Sequence, residues 1–162
     1  MSEQSVVGRS NLTLPNEREI RVERVFDAPP ERVFAAYTDP EQIPQWWGPH
    51  GTTTIVEEFE PRTGGRWQFR SRDSDGGEIV FRGYFREVEA PTRISQTFEW
   101  DGMPGYVSVD TAVFEPFGEG QTRIVTTSIF YTAEERDGMI ESGMEKGMNE
   151  TYDRLDQLLA QG

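Results

Sequence analysis

A long central stretch of this chain has no helical period, and it limits the folds that the chain can adopt. Between Thr52 and Phe130, short runs rich in β-branched and aromatic residues alternate with turn residues, and a helical period returns only near Ala133. These runs predict strands near residues 53–60, 65–70, 77–88, 92–100, 106–116 and 122–130. Because the connections between them are short, neighbouring strands are expected to pair antiparallel.

The segment before this stretch predicts one more strand and two short helices. Alternating residues over 19–27 favour a strand. Residues 27–31 then carry the prolines and acidic residues typical of a helix start, and that helix is expected to end at Asp39-Pro40. A second short helix is expected from Pro40 towards Trp47.

The last segment predicts one long helix over residues 133–159. Spacings of three and four place small and apolar residues on one stripe, namely Ile140, Gly143, Met144, Gly147, Thr151, Leu155 and Leu158. One long helix is expected to cover one sheet. The predicted fold class is therefore α+β, with a curved antiparallel sheet of about seven strands around a long C-terminal helix and two short helices after strand one.

Length and composition favour a single domain. A chain of 162 residues with 35% hydrophobic residues is long enough for one substantial core. Residues 1–17 are polar and lack a sustained period, so a flexible leader is expected there, with room for a short strand around Val6. The domain is expected to span residues 18–162.

Charge and residue counts exclude several function classes. A formal net charge of −13 opposes binding to nucleic acid. Because no apolar run approaches the roughly 20 residues that span a bilayer and no signal peptide is recognised, no membrane span and a cytoplasmic location are expected. The chain has no Cys and one His, His50, so a metal site or a Ser-His-Asp triad is not expected, and no cofactor is predicted.

Two glycines in the helical stripe leave two interpretations open. Gly143 and Gly147 each lower helix propensity by roughly 1 kcal/mol relative to Ala. Their role is either close packing of helix against sheet, or a void in which an apolar ligand binds.

Large rings repeat at spacing two along the predicted strands, which places them on one face. Such rings either fill a core or line a cavity. The adjacent Trp46 and Trp47 cannot easily face the same core, so one of them either lies at the mouth of the cavity or rests half-exposed. The predicted ligand-binding residues are Trp46, Trp47, Trp67, Phe69, Phe81, Phe85, Phe98, Trp100, Met144, Gly147, Met148 and Thr151.

Candidates for acid–base chemistry are fewer. Glu99, Asp110, Tyr84 and Tyr106 lie on predicted strands where a buried carboxylate or phenol could serve as a general acid or base. No pattern selects one of them, so the catalytic residues stay unknown at this point.

Several ordered motifs resemble one branch of the SRPBCC superfamily, the homologues of the activator of the heat-shock-protein-90 ATPase. The resemblance begins with residues 26–34, 38–41 and 46–49 and covers about residues 18–160. It continues in order through Pro61 with residues 64–67, then 83–88, 91–94, 97–100 and 147–159. It implies a START-like helix-grip fold, in which relatives hold lipids, polyketides, plant hormones or flavonoid-like compounds between sheet and helix.

The sequence and the family resemblance together support three hypotheses about the function of this chain. The first is binding of a small hydrophobic or aromatic molecule between the sheet and the C-terminal helix, without catalysis. The second is a polyketide cyclase- or hydrolase-like enzyme that uses a pocket carboxylate or Tyr. The third is a co-chaperone-like interaction module with a chaperone partner. The sequence does not indicate an oligomeric state.

Overall fold

A computed structural model describes residues 10–161, which form one curved antiparallel sheet with helices on its inner face. In chain order the elements are β1 (Ser10–Thr13), β2 (Glu19–Phe26), α1 (Pro30–Thr38), α2 (Ile43–Trp46), β3 (Thr53–Phe59), β4 (Arg66–Arg72), β5 (Glu78–Glu89), β6 (Arg93–Trp100), β7 (Ser108–Phe117), β8 (Gln121–Ile129), α3 (Ala133–Glu141) and α4 (Met144–Ala160).

The sheet follows the order β1-β2-β8-β7-β6-β5-β4-β3, and every neighbouring pair is antiparallel. The order is open, with β1 and β3 at its two edges. Register shifts between Val56 and Glu58 in β3 and between Phe85 and Glu87 in β5 insert an extra residue in each strand, which bends the sheet at that end. The predicted α+β helix-grip fold is therefore confirmed.

The strand count differs from the prediction of about seven, because the sheet has eight strands. The additional strand, β1, lies inside the expected leader and pairs with β2, with Leu12 opposite Val22. Leu12 packs against the hydrophobic core, which supplies a tertiary contact that the polar local sequence does not indicate. The short strand considered around Val6 lies outside the described residues.

The C-terminal helix is also a correction, because it is two helices rather than one. The helical path is interrupted at Ser142-Gly143, where Gly143 has a φ of +87°, a left-handed conformation that favours glycine. Gly143 is exposed and so does not lie on the buried stripe as expected. The buried face belongs to α4 alone, through Tyr152, Leu155, Leu158 and Leu159, whereas α3 has no buried residue.

Two arginines attach α4 to the rest of the molecule. Arg24 of β2 is buried, and its Nη2 contacts Asp153 at 2.8 Å and also Asp156, both on α4. On the other side, Nη1 of Arg154 donates to the carbonyl of Gly48 at 2.9 Å in the loop after α2. The C-terminal half of α4 is thus held at both flanks.

Within the part of the chain that the structure describes, no helix has both the length and the apolar character needed to cross a bilayer.

Candidate functional site

The inner face of the three central strands is identified by alternation with core residues. Ile94, Phe114 and Ile124 are almost fully buried on β6, β7 and β8. Since side chains alternate between the two faces of a strand, residues an even number of positions away share that inner face. They are Gln96 and Phe98 on β6, Asp110 and Ala112 on β7, and Thr126 and Ser128 on β8.

These inner positions are half-buried rather than buried, although they lie at the centre of the sheet under the helices. On the helix side, a Cβ added at Gly147 of α4 would meet no atom within 4 Å. Close helix-to-sheet packing therefore does not explain this glycine. From these two observations we infer a space between helix and sheet, here called the inner cavity.

One side of the inner cavity is a continuous cluster of rings, here called the aromatic wall. Its members are Trp47, Phe59, Trp67, Phe69, Phe81, Phe85 and Phe98, with centroids of neighbouring rings 5.0 to 6.1 Å apart. Trp67, Phe69 and Phe85 are buried at its base. Trp47, Phe81 and Phe98 keep part of their surface accessible, so they form the side that a ligand could reach.

The two adjacent tryptophans have different roles. Trp46 is only 3% exposed, and its indole N–H donates to the carbonyl of Ala36 at 2.9 Å, which ties α2 to α1. Trp47 points the other way and meets Phe69 and Phe81 edge to face, with centroids 5.1 and 5.0 Å away. Trp46 is a core residue, whereas Trp47 belongs to the aromatic wall.

Trp67 has a specific structural place at the base of the wall. Its indole N–H donates to the carbonyl of Thr97 at 3.2 Å, across the position of Gly83. A Cβ at Gly83 would come within 2.0 Å of that carbonyl oxygen and 2.7 Å of the indole nitrogen. Gly83 is therefore required for the ring to lie there.

The remaining predicted site residues divide into two groups. Gly147, Met148 and Thr151 lie on α4; Met148 packs against the core, and the hydroxyl of Thr151 donates to the carbonyl of Gly147 at 2.9 Å. Trp100 and Met144 stand apart from the core cluster. The ring of Trp100 lies against Gly102 in the β6–β7 loop, so this ring covers a turn.

A polar patch lies on the inner face beside the aromatic wall. Asp110 is paired in register with Gln96 on one side and Ser128 on the other, and the hydroxyl of Ser108 donates to its carboxylate at 3.1 Å. These four residues, Gln96, Ser108, Asp110 and Ser128, are here called the polar patch.

Burial raises the pKa of Asp110 from 3.8 to about 6, and the hydroxyls of Ser128 and Ser108 only partly oppose this shift. Such a shift requires a group that is largely removed from water, yet the residue keeps accessible surface. Both observations agree if the carboxyl faces the inner cavity. A carboxyl with a strongly perturbed pKa in a cavity is a candidate functional group.

Two phenols face the same region. Tyr37 of α1 and Tyr152 of α4 interact through their hydroxyls, and burial raises the pKa of both. Tyr152 also interacts with Thr126 and is influenced by Arg24 and Asp110. The inner cavity thus joins an aromatic wall to a group of polar side chains that can accept or donate hydrogen bonds.

The other acid–base candidates lie elsewhere. Tyr84 and Tyr106 are about half exposed. Glu99 lies on the outer face, where it contacts Arg82 at 3.5 Å. Of the four strand residues named from the sequence, Asp110 alone faces the inner cavity.

Two surface depressions lie away from this region. One, of about 310 Å³, lies around Asn16 and Ile129. The other, of about 480 Å³, is lined largely by outward-facing polar side chains of β4 to β6, including Arg66, Arg82 and Tyr84. Neither includes a residue of α4, so we place the candidate site in the inner cavity on the basis of its half-buried central residues. Across residues 10–161, no group of three or more His, Asp or Glu side chains is arranged to hold a metal ion.

Sequence reasoning did not identify most of the polar patch. Gln96, Ser108 and Ser128 carry no motif, and neither does Tyr37. The one signal available was the spacing of four residues between Asp110 and Phe114, which places both side chains on the same face of one strand. That signal becomes useful only when Phe114 is known to be buried.

Comparison with known proteins identifies relatives of this chain. The family model described as "Activator of Hsp90 ATPase homolog 1-like protein" matches residues 27–160. No curated protein matches significantly.

Solved structures match over almost the full length. A protein from Rhodobacter sphaeroides is 27% identical, covers 95% of this chain and 100% of its own, and superposes with a TM-score of 0.88. A protein from Arthrobacter aurescens is 28% identical, with coverage of 94% and 92% and a TM-score of 0.85. The AHSA1 protein from Silicibacter pomeroyi is 24% identical, with coverage of 88% and 97% and a TM-score of 0.73, and supports the fold alone.

Proposed function

This chain belongs to the family of Activator of Hsp90 ATPase homolog 1-like proteins, and we propose that it binds a small hydrophobic or aromatic molecule in the inner cavity. Family membership supports a ligand-binding domain in general terms. Two observations give specific support. Trp47, Phe81 and Phe98 of the aromatic wall keep accessible surface, and a Cβ at Gly147 of α4 would meet no atom within 4 Å. A flat apolar ligand in the inner cavity would cover the accessible surface of these three rings and bury its own apolar surface.

The test is a panel of neutral aromatic compounds of polyketide and flavonoid type, followed by Trp fluorescence and melting temperature. A ligand at a hundredfold excess over its dissociation constant should stabilise the fold by about 2.7 kcal/mol. Trp47 lies in the wall, so its emission is expected to change on binding.

A cavity-filling variant locates the site. Gly147→Leu places a side chain where a Cβ meets nothing within 4 Å, and it should weaken binding strongly without unfolding the protein. The matched control is Gly138→Leu on α3, where a Cβ also meets no neighbour. Unchanged affinity in Gly147→Leu, or no response to any compound of the panel, would contradict the proposal.

A second candidate is an enzyme of the polyketide cyclase or hydrolase type, favoured by one observation: the raised pKa of Asp110, about 6, beside two phenols. A carboxyl with this pKa can exchange a proton near neutral pH. Turnover assays on polyketide substrates would test it. Activity that persists in Asp110→Asn would argue against a role of this carboxyl, and binding without turnover would favour the first candidate.

Three further points stay predictions. They are the co-chaperone-like interaction module, the cytoplasmic location and the domain boundary at residue 18. Measuring the ATPase rate of the chaperone in the presence of this protein would test the first.

A further inference from the structure

Asp110 is a carboxylate whose partners in the structure are neutral. Its hydrogen-bond partner is Ser108 at 3.1 Å, its pairing neighbours are Gln96 and Ser128, and its pKa is influenced by desolvation and serine hydroxyls alone. Among residues 10–161, no cationic side chain forms an ion pair with it. A buried charge without a counter-ion is costly, so a ligand that supplies one gains the corresponding stabilisation.

The titratable groups that face this position from the helices do not supply the missing charge. Tyr37 of α1 and Tyr152 of α4 have raised pKa values, so both are neutral at pH 7. Arg24 of β2, whose guanidinium lies 5.4 Å from the centre of the Tyr152 ring, is engaged with Asp153 and Asp156.

The aromatic wall begins next to this carboxylate. Phe98 is paired with Ser108 and lies two residues from Gln96 on the same face, and its ring is 5.6 Å from that of Phe81, which contacts Trp47 at 5.0 Å. Ring faces attract organic cations, most strongly where water is excluded. An acidic chain with a net charge of −13 also raises the local concentration of cations.

We propose that the ligand of the inner cavity is an organic amine with an apolar or aromatic body, whose ammonium group lies beside Asp110 and whose body packs on Phe98, Phe81 and Trp47. This inference rests on the proposed binding function and specifies its ligand class. The hydroxyls of Ser108 and Ser128 hold the carboxylate in place without neutralising it.

Three probes of nearly equal size separate charge from hydrogen bonding and from apolar contact. They are naphthalen-2-ylmethylamine, naphthalen-2-ylmethanol and 2-ethylnaphthalene, each titrated into the protein with affinity measured by calorimetry or fluorescence. We expect the amine to bind at least about tenfold more tightly than the alcohol at pH 7.5, in line with a charge-assisted hydrogen bond. The affinity for the amine should fall as the pH drops below about 6, where Asp110 takes up a proton, whereas binding of the two neutral probes should not.

The variant Asp110→Asn should remove the preference for the amine and retain binding of 2-ethylnaphthalene. The charge-matched control is Glu115→Gln, on the same strand but on the opposite face, where the carboxylate contacts Arg123 at 2.8 Å. This control should keep the preference. It excludes a general effect of net charge.

The outcomes separate the two proposals. Equal or weaker binding of the amine relative to the alcohol, or a preference that survives in Asp110→Asn, overturns the amine inference and leaves the binding function intact. Failure of all three probes together with the neutral panel overturns the binding function itself.

Discussion

The aromatic wall on β3 to β6 and the region around Phe26 and Tyr152 on β2 and α4 both place rings under the helices, but different forces hold them. In the wall, the rings pack on one another through edge-to-face and tilted contacts, and the indole of Trp67 at the base donates to the carbonyl of Thr97. Around Phe26, the guanidinium of Arg24 lies 5.5 Å from the Phe26 ring and 5.4 Å from the Tyr152 ring and is paired with two carboxylates of α4.

This difference indicates a division of roles. The anchored region fixes α4 on the sheet, so it should carry much of the stability. The aromatic wall instead keeps four of its rings half-buried, namely Trp47, Phe59, Phe81 and Phe98. Ring surface that folding leaves accessible is available to a ligand.

The largest expected effect separates the two adjacent tryptophans. Trp46→Ala should lower the free energy of unfolding by about 3–5 kcal/mol, since a buried indole and its hydrogen bond are lost. Trp47→Ala should cost only about 1–2 kcal/mol, because that ring is half-buried, yet it should abolish binding of aromatic ligands. Urea denaturation and ligand titration measure both effects. Equal destabilisation by the two variants would remove the distinction between core and wall.

Asp110 links the two regions and is expected to lower stability in its ionised form. Its pKa in the folded state, about 6, lies above its value of 3.8 in the unfolded chain, so folding favours the protonated form. The loss of folding free energy caused by ionised Asp110 therefore grows as the pH rises from 3.8 to about 6. Asp110→Asn should therefore raise the free energy of unfolding by up to about 3 kcal/mol above pH 6. The gain should vanish near pH 4. A gain of the same size at both pH values would refute the assignment of a raised pKa.

Removal of the anchor should weaken the attachment of α4. Arg24→Met should lower the free energy of unfolding by about 2 kcal/mol, less than for a fully buried pair, because the side chains of Asp153 and Asp156 are already 54% and 30% exposed and water can solvate them. The control is Arg21→Met on the same strand, whose pair with Glu23 is at the surface. That control should change stability by no more than about 0.5 kcal/mol. Similar effects of both variants would show that Arg24 is not an anchor.

The smallest expected effect concerns the open side of the cavity. Gly147→Ala should raise stability by up to about 1 kcal/mol through helix propensity, because the added methyl meets no atom within 4 Å. Gly138→Ala on α3 should stabilise similarly. Only the change at Gly147 should also alter the affinity for an apolar ligand. Thermal unfolding and titration of both variants compare the two sites, and a loss of stability at Gly147 would mean that the helix packs closely there.

The strands and short helices were largely predictable from local patterns. The predicted strand bounds from β2 to β8 agree with the structure within about two residues, because hydrophobic alternation and turn residues mark each strand. Two features, the strand β1 and the break at Gly143, were not predictable in this way. β1 depends on pairing with β2, and the break at Gly143 interrupts a helical spacing that continues unchanged across it.

The candidate site was predictable for most of its rings, whereas Asp110 was indicated only as one of four acid–base candidates and its polar neighbours were not indicated at all. Alternation placed Trp67, Phe69, Phe81 and Phe98 on one face, because the period of a strand is a local property. Whether Trp46 or Trp47 joins them depends on the turn after α2, and the position of Trp100 depends on contact with Gly102.

Periodicity and turn residues are local properties, and they were enough to specify the α+β class, the antiparallel pairing of short strands and an apolar face on the C-terminal helix. Three features follow from the folded molecule alone: the helix breaks at Gly143, a Cβ at Gly147 would meet no atom within 4 Å, and Asp110 lies between Gln96 and Ser128. The physical reason is that burial and desolvation depend on all the elements that surround a residue. Burial raises the pKa of Asp110, and the hydroxyl of Ser128, which opposes the shift, comes from another strand, so no local pattern around Asp110 shows either effect.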